Sequence, residues 1–529
     1  MFVSFNFYIF FIGTNNSVDL FSIIQVLEDV IPTLKAPILS IMDCVEHLVT
    51  EGDDMAAGSL YTPFTKFCEI EKSRPIEVLE IVKEDNEKWI NFISPAIVAG
   101  SNIDLSEYVD IAIQLSSDEN LSVRVRAIFA LGRINYCHDK TLLTKALETL
   151  KHSVQSETDD QLLANILRSV FVLFEADNSL EKNVEAIIEQ CLLCKGDEVL
   201  HQASELLWRN TNNLSSTLRE NLLNSLGDTN PNNKGTLNII NYALKNVVDL
   251  GEEERTTEFI EKYLIKNPEI SIETFQYLTR RVYENDRKYL NMLVTRWFLS
   301  KEYVLGKAVV DILGADTEGR VQLSVDLELL KGLPEGIRVF LTRKAVGWLY
   351  TKPLSAVSFI ISLIDTATDD ELEQIEELLF DPLLISYGKV KDYFEKRLPN
   401  KSEIINSVLS SVLAKLNKYQ DGLRIEPDIP ELLPPQSHRE THSRHFSQLM
   451  AISKKEAESK SVFSGLFKHS VLLYGRTSIH YMQMADEKPQ RSETVLQKFS
   501  HSFDIPTLGF VDPFGLDYML RVYRNEGCN

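Results

Sequence analysis

The chain has 529 residues, of which 44% are hydrophobic and 25% charged, and its net charge at neutral pH is −22. That is too long for one compact core and too apolar for a disordered chain, so several folding units or a repeat array are implied. The acidity argues against nucleic-acid binding, whose affinity comes mainly from Lys and Arg neutralising phosphates.

The charge is uneven. Residues 436–529 carry 12 Lys+Arg and 10 Asp+Glu, a net of +2, leaving −24 for residues 1–435. The six cysteines, Cys44, Cys68, Cys137, Cys191, Cys194 and Cys528, are sparse and irregularly spaced. They do not look like a secreted disulfide framework, and a cytoplasmic, reducing setting is expected.

The chain opens with the apolar run MFVSFNFYIFFI. A secretory leader needs basic residues before such a run, and the first here is Lys35. The run is also too short to span a bilayer, and no later run is long enough. Residues 1–20 are expected to stand apart from the fold, with Met42 as a later candidate start.

The most informative segment is Asp118–Asn135. Its apolar positions Val123, Ala127, Ala130, Leu131 and Ile134 line one helical face. Asp118 and Ser122 are candidate caps, and Gly132 allows close packing against a neighbouring helix. Val123-Arg124, Ala127 and Ala130-Leu131-Gly132 together resemble the second helix of a HEAT repeat. The resemblance implies a stack of helix pairs used for protein–protein scaffolding, without a cofactor. It also implies that Arg124 bonds within the repeat.

An i, i+4, i+8 apolar triplet recurs along the chain. Val123/Ala127/Leu131 is followed by Leu163/Leu167/Phe171, Val199/Ala203/Leu207 and Ile239/Ala243/Val247, then by Val304/Ala308/Ile312 and Leu341/Ala345/Leu349. The interval lies near the ~40 residues of HEAT and armadillo repeats. Partner helices are marked by Leu143, Ala146, Leu147 and Leu150, by Val184, Ile187, Ile188 and Cys191, and by Leu218, Leu222 and Leu226. An irregular repeat is expected around Phe275, Leu278 and Val282. Val321, Leu323, Val325, Leu327 and Leu329 alternate as in a strand, yet Val321, Val325 and Leu329 also fit a helix.

The expected fold is mostly α. It comprises a HEAT/armadillo-like α-solenoid over residues 21–418, a proline-rich linker over 419–437 and a small α+β C-terminal module over 438–529. Pro427, Pro430, Pro434 and Pro435 define the linker, because proline fixes φ and removes a donor. In the module, Val471–Tyr481 and Thr494–Ile505 read as strands of a hairpin. Asp512-Pro513 opens a helix with Leu516, Met519, Leu520 and Tyr523 on one face. That module would stand alone or cover the last apolar face of the array.

No phosphate loop, nucleophile elbow or His-Glu-x-x-His is present. Cys191 and Cys194 form a lone Cys-x-x-Cys, and Cys191 sits in an apolar stripe, so core packing outweighs zinc binding. His438, His442 and His445 would share one helix face and could hold Zn²⁺, but their segment is wholly polar and a solvated helix end is the plainer reading. The basic pairs Arg280-Arg281 and Arg343-Lys344 are expected to meet acidic neighbours. The acidic run Asp369–Glu377 should stabilise a helix start through its dipole, with Leu372 and Ile375 facing inward. Trp348 and Tyr350 are candidate binding anchors, although the side they face is open.

No catalytic, cofactor-binding or metal-ligating residue is assigned. The expected function is a non-enzymatic protein–protein interaction scaffold or adaptor, with protein partners and no membrane span. One rival makes the array a carrier for a metal-binding or catalytic tail. Another makes it a helical-repeat nucleic-acid binder.

Overall fold

The computed structural model describes residues 20–52, 57–136, 139–176, 181–314, 316, 320–397, 402–425, 436–460, 477–482, 490–495, 508–509 and 512–527. The protein is mostly helical and divides into two units, Met1–Arg281 and Val282–Asn529, a division the sequence does not announce. Residues 1–19 and the proline cluster lie outside the described residues.

The first unit opens with α1 (Leu20–Val30), α2 (Ile38–Gly52), α3 (Tyr61–Glu69), α4 (Arg74–Glu84), α5 (Ile93–Ser101), α6 (Leu105–Leu115) and α7 (Leu121–Leu131). It continues through α8 (Lys140–Ser156), α9 (Asp160–Ala176), α10 (Glu181–Leu192), α11 (Asp197–Asn210), α12 (Ser216–Leu226), α13 (Lys234–Asp249) and α14 (Glu253–Lys266). α15 (Gln276–Asn285) starts in this unit. Short polar side chains begin the helices by accepting early backbone N–H groups, as Asp104, Asn120, Asp139, Ser215 and Asn233 do. The cap of α7 is thus Asn120. Asp118 instead receives the Asn120 N–H, and Ser122 supplies the N–H that Asn120 accepts.

The helices form two layers. α6, α8, α10, α12 and α14 pack in succession, and so do α3, α5, α7, α9, α11 and α13. The triplet residues on α7, α9 and α11 are buried. On α13 the stripe is turned slightly: Ile240, Ala243 and Val247 are buried, while Ile239 is half-buried. The partner-helix residues named from the sequence are buried too, as are Phe275, Leu278 and Val282.

Polar links between neighbouring pairs join residues 33 to 41 positions apart. The Ser169 hydroxyl donates to Ile128 O at 2.9 Å, where Gly132 leaves room: a Cβ there would lie 2.6 Å from Ser169 Cα. Asp160 accepts the N–H groups of Glu198 and Val199 at 2.8 and 3.0 Å. Asn241 accepts those of Tyr277 and Leu278 at 3.1 and 3.3 Å. Arg124 donates to Asp118 O and Glu119 O at 3.1 and 3.2 Å, and to Glu157 of the next pair at 3.1 Å. Its role is structural, as the motif implied.

The second unit contains α16 (Arg287–Leu299), α17 (Tyr303–Leu313), α18 (Ile337–Leu349), α19 (Pro353–Ile364), α20 (Asp369–Leu378), α21 (Lys391–Arg397), α22 (Glu403–Ile425), α23 (Gln436–Lys460) and α24 (Pro513–Asn525). α22 runs past residue 418 to Ile425, so its last seven residues fall where the sequence suggested linker. On α17, Leu305, Ala308 and Ile312 are buried while Val304 is half-buried, and the α18 triplet is fully buried. Strands β1 (Thr477–Met482) and β2 (Gln490–Val495) pair antiparallel from Thr477↔Val495 to Met482↔Gln490. The expected second strand had begun later, at Thr494, and residues 496–505 lie outside the described residues.

The ambiguous segment around Val321 is neither a sheet strand nor an α-helix. Residues 320–326 run extended between α16 and α19, and Leu327–Leu330 then form one 3₁₀ turn. Successive N–H groups point alternately to the two helices. Leu323 and Val325 donate to the hydroxyls of Ser358 and Ser362 on α19, both at 2.8 Å. Ser324 and Asp326 donate to Asn291 and Thr295 on α16 at 3.0 and 2.9 Å. Val321, Leu323 and Val325 are buried. Their period of two comes from extended backbone, while side chains four apart on each helix replace a sheet neighbour.

Removing those acceptors orphans buried backbone donors. Ser358→Ala and Ser362→Ala should each destabilise the protein by about 1–3 kcal/mol in chemical denaturation. Substitutions of exposed Ser437 should stay within about 0.5 kcal/mol of wild type.

Candidate interaction surface

In the first unit α11, α13 and α15 carry an aromatic ladder that meets solvent. Trp208 of α11 and Tyr242 of α13 have ring centroids 5.5 Å apart, tilted by 31°. Tyr242 and Tyr277 of α15 stack at 4.2 Å with 25° between planes. The Tyr242 hydroxyl donates to the Tyr277 hydroxyl at 2.7 Å. That hydrogen bond, followed by burial and the neighbouring phenol's charge, raises the Tyr242 pKa above its ordinary value.

The rungs come from different levels of their helices: Trp208 from the last turn of α11, Tyr242 from the middle of α13 and Tyr277 from the first turn of α15. The backbone is fixed by Asn241 beneath Tyr277, and by Asn246 Nδ2 donating to Trp208 O at 3.1 Å. Trp208 and Tyr242 are half-buried and Tyr277 is exposed. On the preceding helix of the same layer, α9, Val172 is exposed.

Charged groups border the ladder. Lys245 and Arg281 both reach Asp249, each at 2.8 Å. Burial works to raise the Asp249 carboxyl, but these two cations outweigh it and hold the carboxyl below its ordinary value. Arg209 lies over the Trp208 ring, 5.7 Å from its centroid. Further along the same layer, the guanidinium groups of Arg133 and Arg168 both stand over Phe129, at 4.5 and 5.0 Å. Burial, then repulsion by Arg168, lowers the Arg133 pKa.

The residues singled out in the sequence fall elsewhere. Trp348 and Tyr350 are buried and are not surface anchors. Trp348 packs against Gly306, where a Cβ would meet its indole at 2.4 Å, and against Tyr303 at a centroid distance of 4.8 Å. The Tyr350 hydroxyl donates to Ser386 at 2.6 Å. Arg281 and Arg343 meet carboxylates, Asp249 and Glu526, as expected for those basic pairs. The acidic run starts α20 behind a Thr368–Glu371 capping box, with Ile375 buried and Leu372 half-buried. His438, His442 and His445 all lie on α23. His445 is exposed, while the side chains of the other two are outside the described residues.

Among the described residues no group of three or more His, Cys, Asp or Glu is placed to hold a metal ion. Among those residues, too, no helix is long and apolar enough to cross a membrane. Cys44, Cys68, Cys191 and Cys194 are free thiols. Neither a protein-family model nor a curated protein matches the chain.

Cys191 is fully buried in α10, and burial pushes its thiol pKa up to about 12. The thiolate is the reactive form, so Cys191 should be inert in the folded protein. Alkylation with iodoacetamide at pH 8, followed by peptide mapping, should leave Cys191 unmodified until denaturant is added. Modification of Cys191 in native protein at the rate seen after denaturation would contradict its placement in the core.

Proposed function

We propose that this chain is a HEAT/armadillo-like α-solenoid that works as a scaffold or adaptor, binding a protein partner across the aromatic ladder of α11, α13 and α15. The observation carrying this reading is the Trp208–Tyr242–Tyr277 ladder. Three aromatic rings in mutual contact meet solvent on α11, α13 and α15, and Tyr and Trp dominate protein-binding hot spots. Their stacking restricts rotamers before a partner arrives, which lowers the entropy lost on binding. The paired charges beside them suit a polar rim around an aromatic centre.

The acidic charge and the engagement of Arg281 and Arg343 by carboxylates favour a protein partner over nucleic acid. The free thiols agree with a reducing compartment, and a cytoplasmic location is part of the proposal.

A photo-crosslinking amino acid at exposed Arg209, over the Trp208 ring, should capture a discrete protein in cells. Trp208→Ala or Tyr242→Ala should abolish that capture and weaken binding of the purified partner at least about 30-fold, the equivalent of about 2 kcal/mol. Retained capture with both rings removed would defeat the reading, as would a loss matched by global unfolding on circular dichroism.

A further inference from the structure

The C-terminal helix α24 does not lie on the last helix of the array. It packs on α18, with a lesser contact to α17. The fit is backbone to backbone at Gly347, where a Cβ would lie 3.0 Å from Tyr523 Cβ, 3.1 Å from Arg524 N and 3.3 Å from Leu520 O. A glycine within a helix weakens it relative to alanine, so α18 gives up helix stability to leave this gap.

Polar groups of α18 read the end of the docked helix. The Lys344 ammonium donates to Arg524 O at 2.7 Å, meeting a helix C-terminal carbonyl that has no intrahelical donor. Arg343 pairs with Glu526, just beyond the helix, at 2.8 Å. In return Arg524 donates to Gly347 O at 2.6 Å and stands over the Trp348 ring at 5.4 Å. Leu520 is the buried apolar contact of the tail helix. Lys344 is 3% exposed, and burial lowers its pKa against the opposing effect of Glu526.

The occupant fits incompletely. The second carboxylate oxygen of Glu526 is buried without a partner among the described residues, and Tyr518 is 72% exposed. The recognition groups belong to α18, whereas the occupant hangs at the end of residues 426–512 and stays attached when it leaves its seat.

We propose that Arg343, Lys344 and the Gly347 gap of α18 form a receptor for a short amphipathic helix of a partner protein that ends in an acidic residue, and that α24 is the resident competitor holding this receptor closed. The required ligand chemistry is set by the seat. It needs one apolar side chain at the Leu520 position, a free helix C-terminus for Lys344 and a carboxylate for Arg343. Intramolecular attachment favours the tail over any weak ligand, so the receptor opens when the tail is released or when a partner helix fits better.

The test uses the full chain and a fluorescent peptide of residues 508–527. Leu520→Asp or, independently, Glu526→Arg in the chain should undock the tail without altering α18. Both variants should bind the peptide at least tenfold more tightly than wild type in fluorescence anisotropy. Adding Lys344→Met should reverse that gain. Adding Arg343→Glu should weaken the normal peptide at least tenfold, and a peptide carrying Glu526→Arg should restore binding to that chain. Equal binding by wild type and the undocked variants would overturn the proposal. So would absent binding by undocked variants that keep wild-type circular dichroism, or failure of the charge exchange to rescue.

Discussion

Stacking of helix pairs in the first unit depends on small residues where second-layer helices cross. Gly132 lets Ser169 approach so closely that its hydroxyl reaches Ile128 O. Ala203 and Ala243, at the middle of the α11 and α13 stripes, are likewise small and fully buried. Once backbones approach this closely, side chains of one pair can bond backbone groups of the next, as Asp160 and Asn241 do. The aromatic ladder depends on the same close packing, which brings the rings of α11, α13 and α15 within stacking distance.

Much of the helical framework is legible in the sequence because burial along a helix obeys its 3.6-residue period. The stripes of α7, α9, α11 and α18 are buried where the triplets place them. On α13 and α17 the first position is off by one, since Ile240 and Leu305 fill the core more deeply than Ile239 and Val304. A single stripe cannot fix helix rotation to better than one residue. The segment at Val321 was ambiguous for a different reason. Its backbone partners are hydroxyls and amides on distant helices, and no local pattern encodes them.

The ladder was not legible. Trp208, Tyr242 and Tyr277 are individually unremarkable and become a surface only when α11, α13 and α15 pack together. Trp348 looked like an anchor because it follows a core triplet, yet it is enclosed by Gly306, Tyr303 and Arg524. The tail helix was legible through its Asp512-Pro513 start, and Asp512 does accept the Gly515 N–H at 2.9 Å. Its seat was not, because the contact joins residues some 180 positions apart, as with Lys344 and Arg524.

The central claim is that neighbouring helix pairs in the first unit stack in sequence order. Zero-length carbodiimide coupling reports it directly, because it joins ammonium and carboxylate groups already in contact. Lys88 meets Asp43 at 2.7 Å, and Lys145 meets Asp110 and Lys266 meets Asp228, both at 2.6 Å. Peptide mapping of coupled protein should recover these three links, each joining one pair to the next. Absence of all three, with links instead joining residues more than about 100 positions apart, as long-range packing around one shared core would give, would contradict the account.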